Sequence, residues 1–211
     1  MKAGQERVQR VIHLLKQQYP NAKYYLNFSN PLELLVAAIL SAQCRDEVVN
    51  AATSKLFKKY QAAEDYANAS LEEFISDISN VTFAGNKAKH IQAACKILAE
   101  QYDGKVPDRL EELIKLPGIG RKTANAILIN AFDKVVGIVV DTHVIRLSQR
   151  LGFTKQKDPD KIEQDLMKLV PREDWKRITW LMKDHGRAVC TSKKAYCERC
   201  VISELCPKIG V

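Results

Sequence analysis

The sequence lacks a long apolar run, a secretion signal, an internal repeat and a low-complexity segment. No apolar stretch approaches the roughly 18 residues that cross a membrane, which excludes a membrane-spanning protein. The first residues lead into an amphipathic helix instead of a signal sequence, so we expect the protein in the cytoplasm. Its 211 residues suffice for one domain or two small ones, and 46% hydrophobic content suffices for a buried core.

Strand patterns are nearly absent. Residues 135–140 form the only β-branched run, and because no second run exists to pair with it, we predict a buried extended connector. Elsewhere apolar residues recur at helical spacing, and cap residues precede them. The sequence therefore predicts an all-α fold of about ten helices. Helices are predicted over 32–42, 108–115, 123–132, 142–150, 159–169 and from Pro171 to Gly186.

The chain has an excess of positive charge. It contains 33 Lys and Arg against 25 Asp and Glu, a formal net charge of +8. That excess suits a polyanionic partner such as nucleic acid, although many proteins that bind no polyanion share it.

The stretch Leu116-Pro117-Gly118-Ile119-Gly120-Arg121-Lys122-Thr123-Ala124 joins two predicted helices by a sharp turn. Pro117 presets φ, while Gly118 and Gly120 can take positive φ and let another molecule approach the backbone. The amides of Gly118, Gly120 and Arg121 open the second helix unpaired, which favours an anion such as a phosphate.

Lys122 lies in the first helical turn, where the helix dipole destabilises an ammonium. A neutral lysine amine is a nucleophile that can form a Schiff base with a sugar C1′. A solvated lysine that only contacts a phosphate explains the same residues, so both interpretations stay open here.

Six cysteines fall into two groups. Cys44 and Cys95 are isolated in helical, apolar surroundings, which indicates buried and unreactive thiols. The other four crowd the C-terminal tail with the spacing C-x6-C-x2-C-x5-C: Cys190, Cys197, Cys200 and Cys206. Disulfides are the weakest interpretation without an export signal. A 4Fe-4S cluster and a zinc ion both remain possible on spacing alone.

A cluster held by four cysteines leaves no open iron for a substrate, which favours a structural role over catalysis. The loop between the first two tail cysteines contains Lys193, Lys194 and Tyr196. We predict that this basic loop presents positive charge suited to a polyanion, the alternative being a solvated charge run.

Four motifs occur in order along the chain: Leu40-Ser41-Ala42-Gln43, the hairpin, Val140-Asp141-Thr142-His143-Val144, and His185-Gly186-Arg187 followed by the cysteine tail. Together they resemble the endonuclease III family of the helix-hairpin-helix DNA glycosylase superfamily. The resemblance covers nearly the whole chain.

The resemblance implies a base-excision repair enzyme, both DNA glycosylase and abasic-site lyase, acting on oxidised pyrimidines in duplex DNA. It implies a six-helix domain at 24–135 and a cluster domain formed by 1–23 and 136–211, with DNA bound between them. It also implies one 4Fe-4S cluster on the tail cysteines. We expect a monomer with no membrane association.

The family's nucleophile falls on Lys122 and its aspartate on Asp141, which is also a helix N-cap. A void-filling glutamine falls on Gln43. The wedge segment departs from the family pattern at Thr82 and Ala84, so that only Phe83 remains to enter the DNA. Phe83 in the core is the alternative.

Other functions are a mismatch glycosylase without lyase chemistry, a non-catalytic DNA-binding module and a redox protein. Related mismatch enzymes generally lack a lysine at the position of Lys122. A binding module explains the glycines, the charge and the cysteines, but not Lys122 together with Asp141.

Overall fold

The computed structural model describes residues 3–211 of the chain. Within that range it contains eleven α-helices and no β-strand, which confirms the all-α prediction. The helices are α1 (Ala3–Gln18), α2 (Pro31–Leu40), α3 (Asp46–Lys59), α4 (Ala63–Asn68), α5 (Leu71–Asp77), α6 (Ala84–Gln101), α7 (Leu110–Leu113), α8 (Arg121–Ala131), α9 (Thr142–Arg150), α10 (Pro159–Leu169) and α11 (Trp175–Ala188). None of the helices described combines the length and the apolar character of a membrane span.

The chain divides into two compact units. The continuous unit is Tyr25–Lys134, with α2 to α8. The split unit combines the segment up to Tyr24 with Val135–Val211, and it contains α1, α9, α10, α11 and the cysteine tail.

The continuous unit is built around α2, whose residues from Leu34 to Leu40 are all buried. This helix packs against α3, α6 and α8. A near-continuous apolar helix suits a central position, because every face of it meets another helix. A second cluster of buried rings, Tyr60, Tyr66 and Phe74, fills the space beside α4 and α5.

The split unit has its own core, to which α1 contributes Val8, Val11, Ile12 and Leu15. The guanidinium of Arg7 donates to the carbonyls of Leu151 (2.8 Å) and Leu205 (3.0 Å), and so ties α1 to the tail. Residues 135–140 form a connector outside the helices, but the predicted burial holds only in part: Gly137, Ile138 and Val140 are buried, whereas Val136 is 45% exposed. The Thr179 hydroxyl donates to the Val139 carbonyl at 2.8 Å.

Several helix limits differ from the predictions for local reasons. The helix expected over 108–115 shortens to the single turn of α7, and the next begins at Arg121 instead of Thr123. The last helix begins at Trp175, because Arg172–Asp174 form a 3₁₀ turn after Pro171. Helix α4 was not predicted. It is six residues long, and it packs on α6.

Candidate active site

The hairpin between α7 and α8 is anchored by three apolar side chains. Leu113, Leu116 and Ile119 are buried, and the amides of Leu116 and Ile119 donate to the carbonyls three residues earlier, each at 3.1 Å. Burial of these side chains holds the turn to the continuous unit, so that the backbone between them keeps a defined shape.

The two hairpin glycines serve different purposes. Gly118 has φ +80°, and a Cβ added there would lie 3.1 Å from the Cβ of His90 on α6. Gly120 has φ −92°, and an added Cβ would meet nothing within 4 Å. Only Gly118 therefore takes the positive φ expected of this turn. Packing within the protein does not require glycine at position 120. Close approach of a phosphate to the bare backbone would require it.

Lys122 is the second residue of α8, and its side chain is exposed. Gly120 is the N-cap of α8 and has no side chain to cap the first turn of the helix. Arg121 is exposed beside Lys122. A lysine amine and a helix start without a side-chain cap thus lie together in the continuous unit, which is the arrangement that an amine nucleophile beside a bound phosphate would need.

Asp141 caps α9 in the split unit. Its Oδ1 accepts from the amides of His143 and Val144, both at 2.9 Å. Two bonds on one oxygen hold the carboxylate plane while Oδ2 stays available. The predicted N-cap is therefore present, and it leaves the carboxylate free to act on a second group.

His143 follows Asp141 and is held in one tautomer. The guanidinium of Arg146 donates to His143 Nδ1 at 3.1 Å. Since a guanidinium only donates, Nδ1 must be unprotonated and Nε2 carries the proton. Burial holds the pKa of His143 below its ordinary value; Asp141 opposes that shift, while Arg146, Arg187 and Lys183 add to it. The ring is a neutral donor near pH 7.

Gly186 makes room for this arrangement. An added Cβ would lie 2.6 Å from His143 Nδ1 and 2.8 Å from Arg146 Nη2, and the Gly186 carbonyl accepts from that same Nη2 at 3.1 Å. The glycine of the His185-Gly186-Arg187 motif is therefore required by the packing of α9 on α11.

Gln43 and Phe83 lie in two exposed turns of the continuous unit. Both have left-handed backbones, with φ 52° and 59°, a conformation that costs a non-glycine residue on the order of 1 kcal/mol. Phe83 is 60% exposed, so the core position considered for it is wrong. A strained backbone that carries an exposed side chain favours a role in contact with a ligand.

The four tail cysteines line a single pocket in the split unit. Leu147, Leu151 and Ile202 complete its apolar wall. Within residues 3–211 no three His, Cys, Asp or Glu side chains form a group that could hold a single metal ion. The four thiols instead surround a common space: Cys190, Cys197, Cys200 and Cys206.

Hydrogen-bond donors point at two of the four sulfurs, and a histidine ring nitrogen lies beside a third. Arg150 Nη1 donates to Cys190 Sγ at 3.1 Å, and the Lys208 amide donates to Cys206 Sγ at 3.3 Å. The ring Nε2 of His185 lies 3.4 Å from Cys200 Sγ. Such donors stabilise thiolate ligands, which fits a metal-bound state of these cysteines.

The loop between Cys190 and Cys197 exposes Lys193 and Lys194. The Thr191 hydroxyl donates to the Lys194 carbonyl at 2.7 Å and accepts from the Lys194 amide at 3.0 Å, which closes the loop. Two cations lie over the Tyr196 ring, Lys194 with its ammonium 5.0 Å and Arg199 with its guanidinium 4.2 Å from the ring centre. The loop therefore presents positive charge on a held backbone.

Comparisons with known proteins agree on one family. Residues 36–172 match the HhH-GPD superfamily of base excision DNA repair proteins. Endonuclease III of Synechocystis sp. is 48% identical over 207 residues, covering 98% of this chain and 94% of that protein. Endonuclease III of Bacillus subtilis is 46% identical over 189 residues, covering 89% and 86%.

The chain belongs to the endonuclease III family. A solved structure of a trapped endonuclease III–DNA covalent intermediate matches it with a TM-score of 0.92 and 40% identity, covering 97% of this chain and 96% of that one. As a member of the endonuclease III family, the chain is a base-excision repair enzyme, a DNA glycosylase and abasic-site lyase.

Lys87 of this endonuclease III family member is a buried residue that was not singled out from the sequence. It is only 5% exposed, and its ammonium donates to the Leu40 carbonyl at 2.7 Å. Burial lowers its pKa, while Cys44 acts weakly in the opposite direction. The signal was present, because Lys87 lies on the same helical stripe as Ile91 and Cys95, where a lysine is out of place.

Proposed function

We propose that the protein removes oxidised pyrimidines from duplex DNA through a lysine Schiff base and then cleaves the strand by β-elimination. The observation that carries the proposal is the exposed Lys122 at the second position of α8, two residues after the bare backbone of Gly120. Support comes from the 40% identity to an enzyme solved as a covalent intermediate with DNA. We propose that it acts as a monomer.

In this mechanism the Lys122 amine attacks C1′ of the flipped nucleotide. The N–C1′ bond forms as the glycosidic bond breaks, and the base departs with the bonding electron pair and takes up a proton. The Lys122 nitrogen then loses a proton and its lone pair breaks the C1′–O4′ bond. O4′ takes up a proton, and the opened sugar is held to Lys122 as a protonated imine. The imine makes the protons on C2′ acidic. When a C2′ proton is removed, the electron pair left behind expels the 3′ phosphate.

Asp141 would accept the lysine proton and stabilise the positive charge that develops on the sugar. The cap bonds to Oδ1 support this role, because they fix the carboxylate while Oδ2 remains available. His143, a neutral donor two residues away, would offer its Nε2–H to a phosphate oxygen.

The damaged nucleotide must leave the base stack before Lys122 can reach C1′. We propose that Gln43 fills the vacated space and that Phe83 enters the neighbouring base step, which costs a few kcal/mol of unstacking and recovers part of it by stacking. Gly118, Gly120 and Arg121 would hold a phosphate at the start of α8.

We propose one 4Fe-4S cluster on Cys190, Cys197, Cys200 and Cys206. The shared pocket supports it, since each of the four irons takes one cysteine and the thiolates surround a volume. The cluster would hold the tail folded and would take no part in the reaction. The split unit would then be the cluster domain, and its loop lysines Lys193 and Lys194 would contact DNA phosphates.

Borohydride trapping tests the nucleophile. Wild-type protein mixed with a duplex that carries thymine glycol should form a covalent complex, and Lys122→Gln should form none. The loss of DNA affinity should correspond to no more than one phosphate contact. The slope of log affinity against log salt concentration should therefore change by about 0.9 at most. Lys115→Gln is the matched control, because it removes an exposed lysine from the same hairpin. Trapping that survives in Lys122→Gln would place the nucleophile elsewhere.

A further inference from the structure

The beginning of α6 organises the exposed turns of the continuous unit. Phe83 is its N-cap, and Lys87 follows one turn later, with its amide donating to the Phe83 carbonyl at 3.1 Å. His90, in the next turn, packs against Gly118 of the hairpin. One helix start therefore supports both Phe83 and the hairpin.

Lys87 connects this helix start to the turn that carries Gln43. Its side chain crosses to the end of α2 and donates to the Leu40 carbonyl at 2.7 Å. Leu40 is the last residue of α2, and Gln43 follows three residues later in its left-handed conformation. Lys87 thus bonds to both turns, through its amide to one and its ammonium to the other.

The end of α2 shows why this bond matters. The last four carbonyls of a helix have no partner within it. Ser41 satisfies two of them, with its amide on Ala37 (2.9 Å) and its hydroxyl on Ala38 (2.8 Å), and the Ala42 amide reaches Ile39 at 3.5 Å. The Leu40 carbonyl is served by Lys87, from a different helix.

A buried ammonium is an expensive way to satisfy one carbonyl. Burying a charge is costly, and an apolar residue of similar volume often gives equal or greater stability. What an apolar residue cannot supply is a directed bond from α6 to the end of α2. The bond also places a cation at the negative end of the α2 dipole, where it is favoured.

We infer that Lys87 is a positioning residue that sets the Gln43 turn relative to Phe83 for entry into the DNA. The inference rests on the proposed function, in which these two side chains fill the space left by the flipped nucleotide. Without the ammonium of Lys87, the Leu40 carbonyl, directly before the turn at residues 41–44, loses its hydrogen bond from α6. A misplacement of about 1 Å at a reacting site costs on the order of 100-fold in rate.

The test compares paired and unpaired lesions in the full-length protein with its cluster. Lys87→Met keeps the length of the side chain and removes the donor. We expect a 10- to 100-fold lower single-turnover rate, on the order of that geometric cost, with thymine glycol paired to adenine. With the same lesion in an unpaired bubble, where no stack has to be opened, the rate should stay within about twofold of wild type.

Two further measurements separate positioning from general destabilisation. The fluorescence of 2-aminopurine placed beside the lesion should rise less with Lys87→Met than with wild-type protein, because the base step opens less. In a Gln43→Ala, Phe83→Ala background, Lys87→Met should cause no further loss. Lys96→Met, an exposed lysine of the same helix, is the matched control and should match wild type.

Each outcome bears on the proposal. Wild-type protein that excises nothing would overturn the proposed function and this inference with it. Active wild type with equal losses on paired and bubble substrates would overturn the inference alone. If Lys87→Met does not fold, Lys87→Arg, which keeps a charged donor, should recover the paired-lesion rate to within about tenfold of wild type; failure of both variants to fold would also refute a positioning role.

Discussion

Asp141 carries two roles that a pair of substitutions can separate. As a cap, its Oδ1 accepts two amide bonds at the start of α9. As the proposed acid–base group, it needs the negative charge. Asp141→Asn keeps an acceptor oxygen in the same position and removes the charge, whereas Asp141→Ala removes both.

The two roles differ in size. Loss of a carboxylate at a helix N-terminus costs about 0.3–1 kcal/mol, and loss of the whole cap about 0.5–2 kcal/mol. For a chain of this length these costs lower Tm by about 1–4 °C for Asp141→Asn and about 1–8 °C for Asp141→Ala. A general acid–base contribution is about 10² to 10⁴ in rate, or roughly 3–5 kcal/mol of barrier.

The assay measures Tm, DNA affinity and single-turnover excision of thymine glycol for each variant. Asp158→Asn is the matched control, because Asp158 caps α10 with a bond to the Lys161 amide at 3.0 Å. It should lose similar stability and keep full activity. A rate loss below about fivefold for Asp141→Asn, or equal losses for Asp141→Asn and Asp158→Asn, would reduce Asp141 to a helix cap.

Gly118→Ala should lower stability by about 1–2 kcal/mol in a melting experiment, because φ is +80° and His90 is close, whereas Gly120→Ala should cost at most about 1 kcal/mol and weaken DNA binding. Phe83→Ala should leave Tm nearly unchanged and slow excision of paired lesions far more than cleavage at abasic sites. A large fall in Tm with a normal ratio of the two activities would show that Phe83 does not enter the DNA. Lys193→Ala with Lys194→Ala should weaken binding to all duplexes alike in salt titrations, and a loss for one lesion only would mean that the loop contacts bases.

The helices were predictable where the signal is local. Helix α9 lies at 142–150 and α10 at 159–169, both as expected, because Asp141 and Asp158 cap them and the apolar spacing continues to their ends. Helix α4 escaped prediction because it is only six residues long and Ala62 at its N-cap has no capping side chain. Its start is held by Asp65 Oδ2, which accepts from the amides of Gln61 (2.8 Å) and Ala62 (2.9 Å), and it packs on α6.

The chemistry-bearing residue types were also present in the sequence: a lysine after a glycine turn, an aspartate cap and four closely spaced cysteines. Their spacing did not decide between a cluster and zinc, because spacing restricts reach and not the final position of each sulfur. The pocket that the four thiols share is a property of the folded split unit.

By itself, the sequence determined the all-α class, the hairpin and the start of each capped helix, since these depend on residues within a turn or two of one another. Tertiary structure decided that Phe83 is exposed, that Gly118 and not Gly120 needs positive φ, and that the Lys87 ammonium bonds to the Leu40 carbonyl. Burial and directed bonds between α2 and α6 join residues more than 40 positions apart. No local pattern contains that information, because it is the free energy of packing whole helices together that selects those contacts.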